Sequence, residues 1–321
     1  MPPPRIIFYL SAGGVAVGSI VLFKELLGGS NYSGPEMLEG KTVIVTGSNT
    51  GIGRETALEL ARRKARVIMA CRNLTKCKLA RKEIIAETLN RNVVCRECDL
   101  SSFESIRQFA ARICAKESTV DILINNAGVM RCPRTLSKDG IELQLATNHL
   151  GHFLLTMLLL DKITASENGR IVNVSSIAHM RGSINFDDLN SEKNYDPSSA
   201  YDQSKLANVM FTLRLAKELQ GTGVTCSAVH PGLVNTEIGR HMSVYKSWLS
   251  LLFLRPFLWL FLKTPRQGAQ TTLYAVLSPD ATKSGAYYSD QREATPAASA
   301  LDEAAQERLW QTSLKWTRLQ T

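Results

Sequence analysis

The sequence holds no internal repeat, no low-complexity tract and no dense block of like charge. Those absences exclude a solenoid, a disordered chain and the compact basic patch of a nucleic-acid binder. Lysine and arginine outnumber aspartate and glutamate by 38 to 29, a formal charge of +9, but the excess is dispersed. Such a surplus favours an anionic partner, a phosphorylated cofactor or an acidic lipid surface, over nucleic acid. Cysteine is sparse and odd in number, seven in 321 residues, which excludes a paired disulfide framework. Only Cys95 and Cys98 stand at CxxC spacing, and no second pair or histidine cluster accompanies them, so no metal site is expected. They fall in a strand-like stretch, where alternation sends the two thiols to opposite faces. What remains is ordinary globular material, 44% hydrophobic and 21% charged, of a length that suits one large core with appendages.

One run reaches membrane length. Residues 6–23 carry no charged side chain and are bracketed by Arg5 and Lys24. At about 1.5 Å per residue they span roughly 27 Å, close to a bilayer core of about 30 Å. Residues 1–30 are therefore expected to form a hydrophobic N-terminal anchor. A cleaved secretory signal ending at Gly28, Gly29 and Ser30, or a buried core helix, are the alternatives. Residues 31–40 read as a polar linker. From 41 to 290 short apolar stretches alternate with amphipathic ones, the rhythm of an α/β domain with a single doubly wound parallel sheet. Seven strands are expected at 42–46, 66–70, 93–98, 120–125, 170–174, 225–230 and 285–288. Helices are expected at 51–63, 74–90, 102–116, 139–163, 198–220 and 265–277. Residues 243–262 are dense in Leu, Phe and Trp but split by Arg255-Pro256, which reads as an apolar lid rather than a span. Residues 291–298 read as a linker opening the C-terminal tail, 291–321, in which 300–319 form a surface helix bearing Leu309, Trp310 and Trp316.

The first strand runs straight into Gly47-Ser48-Asn49-Thr50-Gly51-Ile52-Gly53, which opens a helix. Glycines permit the tight turn and let backbone N–H groups approach a pyrophosphate, whose charge the helix N-terminus also favours. An NAD-binding chain would place Asp or Glu at the end of the second strand, on the ribose 2′-hydroxyl. Here that place reads Ala70-Cys71-Arg72-Asn73. No carboxylate is present, and Arg72 is suited to a 2′-phosphate, so NADP(H) is the expected cofactor.

Tyr201 and Lys205 lie four apart on a stretch whose apolar residues recur at helical spacing, hence on one face. A phenol titrates near pH 10 and needs help to act at neutral pH; a neighbouring ammonium would favour its phenolate. Upstream, the strand 170–174 ends in Ser175-Ser176, at the carboxyl edge where such sheets bind ligands. His149 and His152 have no further ligand-like neighbour and read as structural.

The GxxxGxG turn, Asn125-Asn126-Ala127-Gly128, Ser176, YxxxK and His230-Pro231-Gly232 together resemble the short-chain dehydrogenase/reductase family over about residues 40–290. The resemblance implies that Ser176 and Tyr201 hold a substrate carbonyl, that Lys205 supports Tyr201, and that Asn148 holds a water against the lysine. It further implies cofactor contacts from Asp99 and Leu100 at the adenine, from Asn126, Ala127 and Gly128, and from Pro231, Gly232, Val234 and Thr236 around the nicotinamide. Tyr201 and Lys205 would also touch the cofactor. The N-terminal run with Ala70-Cys71-Arg72, Gly151-His152-Phe153-Leu154 and Phe186-Asp187-Asp188-Leu189-Asn190 is similar to the NADP(H)-preferring, membrane-associated retinol dehydrogenases. That likeness implies a small hydrophobic substrate, retinoid or lipid aldehyde, with net reduction, and contact with membrane lipid. It points to the endoplasmic reticulum, with the mitochondrial membrane as the alternative, and leaves a homodimer open. Steroids are a rival substrate. A non-catalytic cofactor-binding scaffold is a rival role, but no catalytic position is degenerate.

Overall fold

The computed structural model describes residues 28–241 and 259–319, together with 15, 18–19 and 21–25. Most of the expected anchor and residues 243–258 of the expected lid lie outside the described residues. In chain order the elements are β1 (Thr42–Thr46), α1 (Gly51–Arg62), β2 (Arg66–Cys71), α2 (Leu74–Thr88), β3 (Val93–Glu97), α3 (Phe103–Lys116), β4 (Ile122–Asn125), α4 (Gly151–Thr164), β5 (Arg170–Val174), α5 (Pro197–Glu218), β6 (Thr225–His230), α6 (Pro265–Leu277), β7 (Tyr287–Ser289), β8 (Arg292–Ala294) and α7 (Glu303–Trp316).

Strands such as β1 and β4 are apolar on both faces, so each must be covered on both sides, which is what crossover helices supply. The resulting sheet runs β3-β2-β1-β4-β5-β6-β7-β8, parallel from β1 through β7. Chain order reverses between β1 and β4, where Val43 pairs with Ile122 and Val45 with Ile124. A crevice opens above such a reversal, at the carboxyl ends of the strands. Ile44, Ile68, Phe109 and Phe153 belong to the core on one face. Val43, Val45, Met69 and Leu60 belong to the core on the other.

The sheet has eight strands where seven were expected. The extra one, β8, pairs antiparallel with β7 through a two-residue turn at Asp290 and Gln291, with φ of 48° and 60°. Both lie in the left-handed region, as tight hairpin turns demand. Its sequence, Arg-Glu-Ala, is too short and polar to stand out from the linker expected there. β3 ends at Glu97, so Cys98 lies just past the strand; it joins one core while Cys95 packs with Cys71 and Cys77 against the other.

The helix expected at 139–163 is not continuous. A short turn, Leu143–Leu145, passes into a π-helical segment, Ala146–Leu150, before α4 begins. Widened turns of this kind are rare and gather at functional sites. Leu143–Thr164 is the one helix among the described residues long and apolar enough to cross a membrane, yet most of it is buried inside the domain, as a core helix is.

The C-terminal stretch is not a free tail. α7 buries Leu309 and Trp310, and the Trp310 ring stands edge-on to Phe153 at 5.2 Å between centroids and lies against Phe211 at 6.1 Å. The linker is likewise docked. The Tyr32 N–H donates to Gln270 Oε1 at 2.7 Å, and Arg63 donates to the carbonyls of Gly34 and Glu36 at 2.8 and 2.7 Å.

Candidate active site

The glycine turn after β1 is shaped by contact. At Gly47, with φ of +66°, a Cβ would lie 2.9 Å from the Ala127 Cα; at Gly53 it would lie 2.4 Å from Asn126 Nδ2. The two loops that end β1 and β4 therefore touch, and only glycine fits between them. Thr46 ties them further, its hydroxyl accepting from the N–H groups of Asn126 and Ala127, both at 2.9 Å. Thr50 precedes α1 without capping it, and the first turn holds no acidic residue. Free N–H groups beside a cradle with no side chains form an anion site, which suits a pyrophosphate.

These loops wall a cleft of about 450 Å³. Gly47, Asn49, Thr50, Gly51, Ile52 and Gly53 form one side; Asp99, Leu100, Asn126, Ala127, Gly128 and Thr236 form the other. Ser48 does not face it: its hydroxyl is buried and donates to the Val45 carbonyl at 2.9 Å, so it serves the turn. Pro231, Gly232 and Val234, like Asn148, Ser176, Tyr201 and Lys205, lie beyond the lining of this cleft; the chain at Leu233 and Asn235 pairs with Lys263 through backbone hydrogen bonds from Lys263 to Leu233 and from Asn235 to Lys263. Arg72 stands at the cleft mouth, exposed, with no ion pair or hydrogen bond among the described residues. Sequence reasoning missed Lys76, which lines the same mouth four residues on and is 3.9 Å from Glu237 across the opening. Its spacing from Arg72 on the first turn of α2 was the available signal. Thr147 was missed too: it lines the cleft with a buried hydroxyl that has no partner.

At its inner end the cleft meets Gly128. A Cβ there would lie 3.2 Å from Asn148 Oδ1 and 3.7 Å from Lys205 Nζ, so one water could bridge those two groups. Asn148, on the π-helical segment, grips Val129 on both sides: Oδ1 accepts from its N–H at 2.8 Å, and Nδ2 donates to its carbonyl at 2.9 Å and to Ser204 Oγ at 2.9 Å. Lys205 Nζ donates to the Val174 carbonyl at 3.0 Å, and Ser175 Oγ donates to the Lys205 carbonyl at 2.8 Å, locking α5 against the end of β5. Ser176, the next residue, accepts from the Ala178 N–H at 3.2 Å, and its hydroxyl lies near enough to Tyr201 to oppose the upward pull of burial on that phenol.

Burial decides the charges. It pushes Tyr201 up to about 12 and Lys205 down to about 8. Lys205 Nζ donates to a carbonyl and stands over the tyrosine ring, 5.8 Å from its centre. At neutral pH Tyr201 keeps its proton, which makes it an acid awaiting a base rather than a standing phenolate.

His152 bridges the Asn148 carbonyl, 3.0 Å from Nδ1, and the Thr46 hydroxyl, 2.9 Å from Nε2. His149 Nε2 meets Ser313 Oγ at 2.9 Å. Burial lowers His149 to about 4 and His152 to about 3 from the ordinary 6.5. Below pH 6.5 the unfolded chain takes up protons that the folded chain refuses, so stability should be lost as pH falls from 6.5 toward 4. Each histidine costs up to about 1.4 kcal/mol per pH unit. Thermal melts across that range should show Tm falling steadily; a flat Tm would mean that both rings are charged within the fold.

Residues 41–244 match the short chain dehydrogenase family. The human protein named retinol dehydrogenase 13 is 49% identical over 318 residues, 98% of this chain and 96% of that one. Mouse retinol dehydrogenase 12 is 50% identical over 284 residues, 88% of each. Among solved structures, an uncharacterized protein from Mycobacterium paratuberculosis superposes with a TM-score of 0.72 at 35% identity, over 90% of this chain and 98% of that one. A short chain dehydrogenase from Shigella flexneri complexed with NADP superposes with a TM-score of 0.63 at 25% identity, over 81% of this chain and all of the other. The chain belongs to the short chain dehydrogenase family and is an oxidoreductase with a Rossmann-type fold.

Proposed function

We propose that the protein is an NADPH-dependent reductase of hydrophobic aldehydes, retinal foremost, that works at a membrane surface. The observation that carries this reading is a buried Tyr201 beside Ser176, with Lys205 reaching Gly128 at the inner end of a cleft at whose mouth Arg72 forms no ion pair among the described residues. The likeness to retinol dehydrogenases 13 and 12 supports the substrate, and the NADP complex of the Shigella protein supports the cofactor.

When bound, a reduced nicotinamide dinucleotide supplies the hydride. The chain's own residues do the rest. Arg72, with Lys76 beside it, would meet the 2′-phosphate, and the α1 N-terminus and glycine cradle would hold the pyrophosphate. Ser176 and Tyr201 hydrogen-bond the carbonyl oxygen and so orient it. As negative charge grows on that oxygen, Tyr201 donates its proton. Lys205 and a water at Asn148 Oδ1 pass a proton back to the tyrosine. Asn148 acts mainly as a positioning residue, since both its amide protons are already committed to Val129 and Ser204.

The membrane reading rests on the uncharged run 6–23 and on exposed apolar side chains at both ends of the undescribed segments, Val21, Leu22 and Phe23 in one and Trp259 and Phe261 in the other. Lys24 joins the two, donating to the Trp259 carbonyl at 2.5 Å with its ammonium 3.9 Å over the indole ring. We place the protein in the endoplasmic reticulum membrane, with the mitochondrial membrane second. The test is NADPH consumption by alkaline-washed membranes that carry the full chain, offered retinal, medium-chain aldehydes and ketosteroids in turn. Turnover of retinal or the aldehydes in the washed pellet is expected. Activity that leaves with the wash would refute the membrane part, and turnover of ketosteroids alone would refute the substrate part.

A further inference from the structure

Arg131 combines three features that the reaction as described leaves unused. It is a non-glycine residue in the left-handed region, with φ of +50°. Its Nε is buried without a hydrogen-bond partner. Its charge is felt at the Tyr201 hydroxyl. Strained backbone and unsatisfied buried donors are both costly, and where they persist beside a reactive group they point to function.

The strain is held in place from outside. The Arg131 N–H donates to Gln144 Oε1 at 2.7 Å, and the same amide's Nε2 donates to the Tyr195 hydroxyl and to the Pro197 carbonyl, each at 3.0 Å. Tyr195 in turn donates to the carbonyl of Cys132 at 2.7 Å. Pro197 opens α5 one turn before Tyr201, so these bonds fasten Arg131 over the N-terminal turn of the catalytic helix.

The carboxylates described around it have other partners, although the Arg131 charge also bears on Asp196. Asp196 caps α5 by accepting from the N–H and hydroxyl of Ser199 at 2.7 and 2.8 Å. Asp202 pairs with Arg181 at 3.1 Å. Glu142 accepts from the N–H groups of Gln144 and Leu145 at 2.9 and 2.8 Å. Among the described residues the Arg131 guanidinium forms no ion pair. A planar fork of donors, half-buried and without an ion pair among the described residues, matches a carboxylate or a phosphate, and of the two the carboxylate is the group an oxidised lipid aldehyde carries.

We propose that Arg131 reads the substrate, and that the preferred substrates are lipid-derived aldehydes that also carry a carboxylate. This rests on the reductase reading and narrows it, because retinal has no such group. The test compares decanal with the matching ω-oxodecanoate, NADPH in excess, in the wild type, Arg131→Met and Arg131→Lys. The readout is the ratio of the two kcat/KM values, so a general loss that strikes both aldehydes does not count. The wild type should favour the carboxylate by roughly 10- to 100-fold, the usual worth of a charge-assisted hydrogen bond. Arg131→Met should bring the ratio close to one, and Arg131→Lys should keep part of it. A wild-type ratio of one, or a ratio that survives in Arg131→Met, overturns the proposal. Binding gives a second readout that needs no turnover: decanoate should raise the Tm of the NADPH-bound wild type and not that of NADPH-bound Arg131→Met. If neither aldehyde is reduced but decanoate still stabilises in an Arg131-dependent way, the reductase reading fails and the carboxylate site stands. If decanoate gives no Arg131-dependent shift either, the site falls with it.

Discussion

Tyr201→Phe is expected to lower carbonyl reduction by about 10²- to 10⁴-fold, the range set by loss of a general acid, while NADPH still binds. The substitution keeps the buried ring and its packing and removes the hydroxyl that lies beside Ser176. Without it the hydroxyl left at the carbonyl is that of Ser176, an aliphatic alcohol and a much weaker acid than a phenol, and Lys205 Nζ is turned to the Val174 carbonyl. Initial rates, set beside a fluorescence titration of NADPH, separate the two effects. Near-normal rates in a folded, NADPH-binding variant would remove Tyr201 from the chemistry. Ser176→Ala should cost less, mainly in kcat, because it weakens a hydrogen bond that matters most as charge develops on the carbonyl oxygen.

Arg72→Asp should reverse cofactor choice. It replaces an unpaired cation at the cleft mouth by an anion, which repels a 2′-phosphate and can accept from a 2′-hydroxyl. The ratio of kcat/KM with NADPH to that with NADH should fall by roughly 100- to 1000-fold, as expected when a charge-assisted hydrogen bond is exchanged for a repulsion. Lys76 moderates the loss, because its ammonium stays at the same mouth and is only loosely held by Glu237 at 3.9 Å. An unmoved ratio would make Arg72 a solvated strand end.

Much of this site could be read from the chain because its logic is local. The glycine turn follows β1 without a gap, Arg72 directly ends β2, and Tyr201 and Lys205 share one helical face. The features that could not be read depend on what the chain meets in three dimensions. The π-helical segment around Asn148 is chosen by the grip on Val129, which lies nineteen positions back. The protonated state of Tyr201 follows from burial beneath neighbours that the motif does not name. Arg131 carries no pattern at all; its meaning comes from Gln144, which holds its backbone, and from a guanidinium with no ion pair among the described residues. Likewise β8 is polar and three residues long, and it exists because β7 offers an edge to pair with.

The place of α7 ties two distant parts of the chain into one core. Trp310 closes the aromatic cluster around Phe153 and Phe211, and Ser313 meets His149 on the π-helical segment. That segment also carries Asn148, so the floor of the catalytic group rests on a helix that touches none of its chemistry. Damage to α7 is therefore felt first as a loosened Asn148 and only then as a lost fold: a cavity opened at Trp310 would reach the reaction through packing alone.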